Sequence, residues 1–255
     1  MKVKLAMLLL GSLLAQSSSA GLVFFGNDMS GFASAVSSQQ FIGTEDFETS
    51  NLADNSAMGF EAPLNQTSTT SPYPNGITQP ITVDTVNGLQ GSDNLAAFRN
   101  MNGIVSTVVV ANDNNDTVDW LFDSSLNVTG VGLNPVTYVR NNPTATTTMN
   151  VSVFDAFDNL LGTTTIGSDG AGSNHLGIQA TGGMTIGRIN FEAPSLINGD
   201  SVFEGADNGA IYVAVPEANG MACCGIGILV CMVTGWLRRL FPSNLENDAC
   251  GPTVF

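Results

Sequence analysis

From Gly43 to Val215 the chain alternates short apolar-rich runs with clusters of Gly, Asn, Asp, Ser and Thr. In Met149-Asn150-Val151-Ser152-Val153 the apolar side chains fall on every second position, as they do at Val118, Trp120 and Phe122. Period-two patterning of this kind buries one face of a strand and leaves the other in water. Further strands are predicted at Thr44 to Glu48, Ile81 to Val86, Ile104 to Val110, Val128 to Leu133, Leu160 to Ile166, Leu176 to Ala180, Ile186 to Phe191 and Ala210 to Val215. Asp158-Asn159 tolerates positive φ, so Val151 to Ile166 reads as a hairpin. The pattern predicts an all-β fold, a two-sheet antiparallel β-sandwich of jelly-roll type, with an immunoglobulin-like sandwich as the second choice.

Two segments break the pattern. Phe32, Ala35 and Val36 stand at i, i+3 and i+4, which predicts one short helix within Asp28 to Gln40, capped by Asn27 or Asp28 and plugging one end of the sandwich. Pro63 to Pro80 holds four prolines and has no periodicity, so it reads as a long surface loop.

The ends of the chain differ again. Lys2 and Lys4 precede the apolar run Leu5 to Leu14, and small residues follow at Ser18 and Ala20, which predicts a signal helix cleaved before Gly21. Met221 to Leu237 is uncharged for 17 residues, the lower limit for a spanning helix, and Arg238-Arg239 would hold its far end in the cytoplasm. The expected organisation is a signal peptide over 1–20, a β-sandwich domain over 21–215 with a helical or irregular lead-in to residue 42, a segment with one transmembrane helix over 216–239, and a cytoplasmic tail over 240–255. The partners this implies are a secretion translocon, signal peptidase and the membrane itself.

Charge narrows the list of further partners. The chain has 22 acidic and 7 basic residues, and between Asp28 and Asp207 nineteen acids face only Arg99, Arg140 and Arg188, with no lysine. A domain this negative repels nucleic acid. All four cysteines lie at or beyond the C-terminal apolar segment, so the domain contains no disulfide.

Val215-Pro216-Glu217, the apolar span and Arg238-Arg239 together resemble the PEP-CTERM sorting signal of bacterial exported proteins. Ala218 stands where that family has a second proline, and sixteen residues follow the arginines. The resemblance implies an exosortase-type transpeptidase as processing partner and delivery to an exopolysaccharide matrix. The Thr44 to Glu48 strand, the Val153 to Gly162 hairpin and the closing Ile211-Tyr212-Val213 strand are similar to galactose-binding-like sandwiches, which implies extracellular polysaccharide or calcium as ligand.

Catalytic chemistry has little to work with. His175 is the sole histidine, in a Gly- and Ser-rich turn without a G-x-S-x-G elbow, and the usual zinc ligand sets are missing. Paired carboxylates for glycoside hydrolysis are set by separation in space, so the sequence leaves an extracellular carbohydrate-active enzyme as the alternative. Trp120 alternates with apolar neighbours and reads as core. Ca2+, which takes six to eight oxygen ligands, is the best inorganic candidate, with Glu45, Glu48 and Asp207 as ligands and Asp113 and Asp116 as a second, loop-borne group. The expectation is a non-catalytic protein of the cell surface or exopolysaccharide matrix, or a lattice protein associating through strand edges.

Overall fold

The structure is a computed structural model, and it describes residues 21–86, 95–100, 106–111, 117–142, 145–194, 196–197 and 200–215. The expected signal helix, transmembrane helix and cytoplasmic tail lie outside these residues, as do Asp113, Asp116 and the beginning of the strand expected from Ile104. Among the described residues no helix is long and apolar enough to cross a membrane.

Fourteen strands are described. They are β1 (Gly21–Gly26), β2 (Gln40–Glu45), β3 (Ser56–Phe60), β4 (Ile81–Val86), β5 (Leu95–Arg99), β6 (Thr107–Ala111), β7 (Thr117–Phe122), β8 (Val128–Val139), β9 (Thr147–Phe154), β10 (Leu160–Ser168), β11 (Leu176–Thr181), β12 (Arg188–Glu192), β13 (Leu196–Ile197) and β14 (Asp200–Val213). They form two antiparallel sheets. The larger runs β1-β11-β8-β14-β6-β5-β3, with β2 and β13 also paired to β14, and the smaller runs β10-β9-β12-β7-β4. From β6 onward the chain crosses repeatedly between the sheets, which places sequence neighbours on opposite layers.

Alternation builds the core between the layers. Trp120, Phe191, Ile189, Val151 and Val153 from the small sheet meet Val131, Leu133, Ile178 and Ile211 from the large one. Trp120 is fully buried and packs edge-on against Phe47 and Phe191. The large sheet departs from simple alternation, because all five residues of β6 are buried. Its outward positions Ala96, Phe98, Val108, Val110, Val136 and Tyr138 form a second apolar cluster.

Helix α1 (Met29–Ala35) is capped by Asp28, one of the two expected candidates, whose carboxylate accepts from the Gly31 N–H at 2.8 Å. It lies against the outward side of the large sheet and does not plug an end of the sandwich. The reason is steric: Gly132 and Gly177 carry no side chain where Phe32 rests, and a Cβ on Gly177 would overlap the Phe32 ring. The glycines make a trough that one aromatic fills. Tyr212, Phe25 and His175 close around the same ring.

Three sequence expectations are corrected. The last strand begins at Asp200, ten residues before the expected Ala210, and β8 continues to Val139, because these two strands pair with each other over most of their length. Strands β1, β3 and β5 were not expected; β5 is almost uniformly apolar and β1 nearly so, so neither shows a period-two signal. The proline-rich 63–80 segment is the expected loop without regular elements, with Gln66, Thr67, Pro74 and Asn75 exposed, but it is not confined to the surface, since Leu64 and Tyr73 are fully buried and Ile77 nearly so.

Gly205 in β14 marks the closest approach of two backbones, because a Cβ there would strike the Val109 carbonyl of β6. No side-chain rotation relieves such a contact. Gly205→Ala should lower stability in urea unfolding by about 2 kcal/mol or more. Gly26→Ala, where the added carbon meets nothing within 4 Å, should leave stability within about 0.5 kcal/mol of the parent.

Candidate ligand-binding face and buried acid sites

The structure brings the three acids singled out for calcium to one region, where β2 pairs with the end of β14. Their oxygens are already engaged. Glu45 is fully buried; its Oε1 accepts from the Phe47 N–H at 2.8 Å, and its Oε2 accepts from the Thr78 N–H, the Thr78 hydroxyl and the Gln79 N–H at 2.8 to 2.9 Å. Four donors around one carboxylate offset its desolvation. They also tie the 63–80 segment to β2.

Glu48 accepts from the Thr107 N–H at 2.8 Å and lies 3.5 Å from Arg99. Asp207 accepts from the Asn208 N–H at 2.7 Å, from the Asn208 amide at 3.0 Å and from the Ser106 hydroxyl. Burial pushes the Asp207 carboxyl up to about 6, with Asp46 and Glu48 adding to the rise and its hydrogen bonds opposing it. Tyr73 stands in the same field. Its phenol is pushed up by burial and then by Glu45, Asp207 and Glu48, and its buried hydroxyl has no hydrogen-bond partner among the described residues. Among the described residues no group of three or more His, Cys, Asp or Glu side chains converges to hold a metal ion, so the calcium assignment of Glu45, Glu48 and Asp207 rests on the sequence pattern alone.

His175 is half-buried beside Phe32, and its backbone N–H donates to the Asn27 side-chain oxygen at 2.7 Å. Burial lowers its pKa. Gly21, the residue expected to follow the signal cleavage, opens β1. Val215 is the last described residue, and Ser18, Ala20, Pro216, Glu217, Arg238 and Arg239 lie outside the described residues.

A site that the sequence reading missed lies on the water side of the small sheet. Register places Asp84 opposite Asp119, Asp119 opposite Asn190, Asn190 opposite Ser152 and Ser152 opposite Thr163. One polar side chain thus comes from each of β4, β7, β12, β9 and β10. Beside this row run Leu121, Arg188 and Phe154, with exposed Leu160 at the edge. On the other side Glu192, Asn150 and Thr165 continue the polar surface.

Asp119 organises the face from beneath. It is 4% exposed; one oxygen pairs with Arg188 at 3.1 Å and the other accepts from Asn190 at 2.6 Å. Burial raises its pKa, against the pull of Asn190 and Arg188. Arg188 also holds Asp158 of the hairpin turn and lies 3.7 Å above the Phe154 ring. Asn190 spends its amide donors on Asp119 and on the Thr117 hydroxyl at 2.9 Å. No linear motif could signal this ladder, because its five members are dispersed from residue 84 to residue 190.

Comparison with protein-family models, with curated proteins and with solved structures finds no match to this chain.

Two measurements test the acid sites. The folded state holds the Asp207 proton more tightly than the unfolded chain, whose carboxyl has the ordinary value of 3.8. The contribution of this group is therefore full below pH 4 and is lost as pH rises through 6, costing about 3 kcal/mol by pH 7.5. The difference in unfolding free energy between Asp207→Asn and the parent should shift in the variant's favour by that order across the window; a constant difference from pH 4 to 7.5 would show Asp207 to be unperturbed. Since donors fill the oxygens of Glu45, Glu48 and Asp207, Asp113→Asn/Asp116→Asn protein should melt at the same temperature in millimolar calcium as in chelator, and a rise of several degrees in that variant would mean that the trio rearranges around an ion.

Proposed function

We propose that the protein is exported, is held at the cell envelope by a C-terminal sorting segment of the PEP-CTERM type, and presents a non-catalytic jelly-roll domain to extracellular matrix polysaccharide. The observation that carries this reading is where the β domain ends. Strand β14 closes at Val213, and the chain divides into separate units between Ala214 and Val215, where the Val215-Pro216-Glu217 motif starts. A division at the start of the motif suits a chain threaded outward and then cut or anchored at its end.

The jelly-roll assignment draws on strand order. Layer β6-β14-β8-β11 faces layer β7-β12-β9-β10, and the chain switches layers between most successive strands, as two interlocked Greek keys require. The non-catalytic assignment draws on Asp119, the buried acid of the exposed face, whose two oxygens are committed to Arg188 and Asn190. A general acid or base needs a free oxygen facing substrate.

Cell fractionation with intact-mass analysis of the native protein tests the reading. The expected result is an envelope or matrix fraction whose chain begins at Gly21. Recovery of a soluble cytoplasmic chain retaining Met1 and Phe255 would overturn it.

A further inference from the structure

We propose that the water-facing side of the small sheet is a binding site for an uncharged, linear polysaccharide lying across the five strands along the row Asp84, Asp119, Asn190, Ser152 and Thr163. This names the ligand class and the site for the surface reading given above, and rests on that reading for its biological setting.

Spacing is the first argument. Neighbouring strands stand about 4.8 Å apart, so the five strands span roughly 19 Å, and every one but β7, whose Asp119 is committed beneath the face, offers a polar group. An extended glycan presents hydroxyls at a comparable repeat, one ring after another. A chain crossing the strands meets a polar partner on four of the five, whereas a chain running along a strand meets outward side chains only at every second residue.

The chemistry of the face is the second. Sugar rings carry apolar C–H faces and polar edges, and this surface has both in adjacent rows. Half-buried Leu121 and Phe154 and exposed Leu160 provide the apolar strip, and the carboxylate, amide and hydroxyl row lies one step along the strands. Asn190 has both amide hydrogens committed beneath it, which orients its carbonyl oxygen with no partner among the described residues. The Ser152 and Thr163 hydroxyls make no hydrogen bond among the described residues, so they can donate or accept. Beside them Asn150, Ser152, Thr163, Thr165 and Glu192 line a depression of about 500 Å³. A second, of about 370 Å³, lies past Leu121 and Arg188.

Charge selects the class of glycan. Among the described residues the only cation of the face, Arg188, is committed to Asp119 and Asp158. Asp84 and Glu192 remain, in a domain with nineteen acids and three arginines. Uronates and sulfated polymers meet repulsion here, and uncharged chains do not. Among the described residues the large sheet offers no comparable polar surface: over β5, β6 and β8 its outward side chains are buried in the second apolar cluster or under α1, and Val23 and Phe41, exposed on β1 and β2, are apolar.

Affinity electrophoresis of the full-length native protein through gels containing soluble β-glucan, galactomannan, xyloglucan or dextran, with alginate and polygalacturonate as anionic comparisons, provides the test. At least one uncharged polymer should retard the protein, and the anionic ones should not. Thr163→Arg and Ser152→Tyr, which obstruct the row from exposed or half-buried positions, should weaken retardation by roughly tenfold or more, the loss of one or two good polar contacts. Met58→Lys on the large sheet should leave it unchanged; near-identical far-ultraviolet circular dichroism and melting temperatures exclude misfolding as the cause. Retardation by none of the uncharged polymers, retardation by the anionic ones alone, or retardation indifferent to Thr163→Arg and Ser152→Tyr would overturn the proposal. Those results would leave the envelope location untouched, while a cytoplasmic location with row-dependent retardation would remove the surface reading and keep the site.

Discussion

The fold depends on the pairing of β14 with β8. Ten register pairs join them, and the opposite edge of β14 receives β13, β6 and β2 in turn. The last strand of the domain is therefore a central strand of its larger sheet, with most of its partners far away in sequence. Such a sheet is completed only when its C-terminal strand is available, and long-range pairing of this kind is intrinsically slow. For a chain that leaves the cell N-terminus first, the domain closes when the residues just before the proposed sorting segment arrive.

What β14 gathers around it explains the handling of buried charge. Four acids among the described residues are almost fully buried, Glu45, Asp119, Glu204 and Asp207, and three of them show three different treatments. Glu45 receives four donors and serves as a clamp that draws the 63–80 segment inward. Asp207 is raised by burial first and then by the field of Asp46 and Glu48, an unfavourable charge that its three hydrogen bonds only partly offset. Asp119 is matched by Arg188 and Asn190, and by holding them it fixes the geometry of the exposed face. In a domain with three arginines, most buried acids must be satisfied by neutral N–H and O–H donors.

The two sheets also divide the surface between them. The larger has apolar side chains on both sides over β5 and β6 and is covered by α1 over β11 and β8. The smaller keeps a strict alternation, so one side is core and the other faces water. Only the smaller sheet can present a broad, in-register polar surface, and the proposed ligand face follows from that asymmetry.

Much of this was legible in the sequence, wherever local patterning decides the outcome. Period-two alternation located β7, β9, β10 and β12, the Asp28 cap marked the start of α1, and Trp120 was recognisable as core because its neighbours on the same face are apolar. The two-layer all-β class follows from the same signals. Tertiary structure decided what no local pattern encodes. The length of β14 and β8 arises from their mutual pairing. The 63–80 segment turns inward because Glu45, far from its prolines, supplies the acceptor for Thr78 and Gln79. The polar row exists because five strands, separated by up to several dozen residues, align in one register. Periodicity reports which side of a strand meets water; only the assembled sheet determines which residues of different strands become neighbours, and it is those neighbours that make a site.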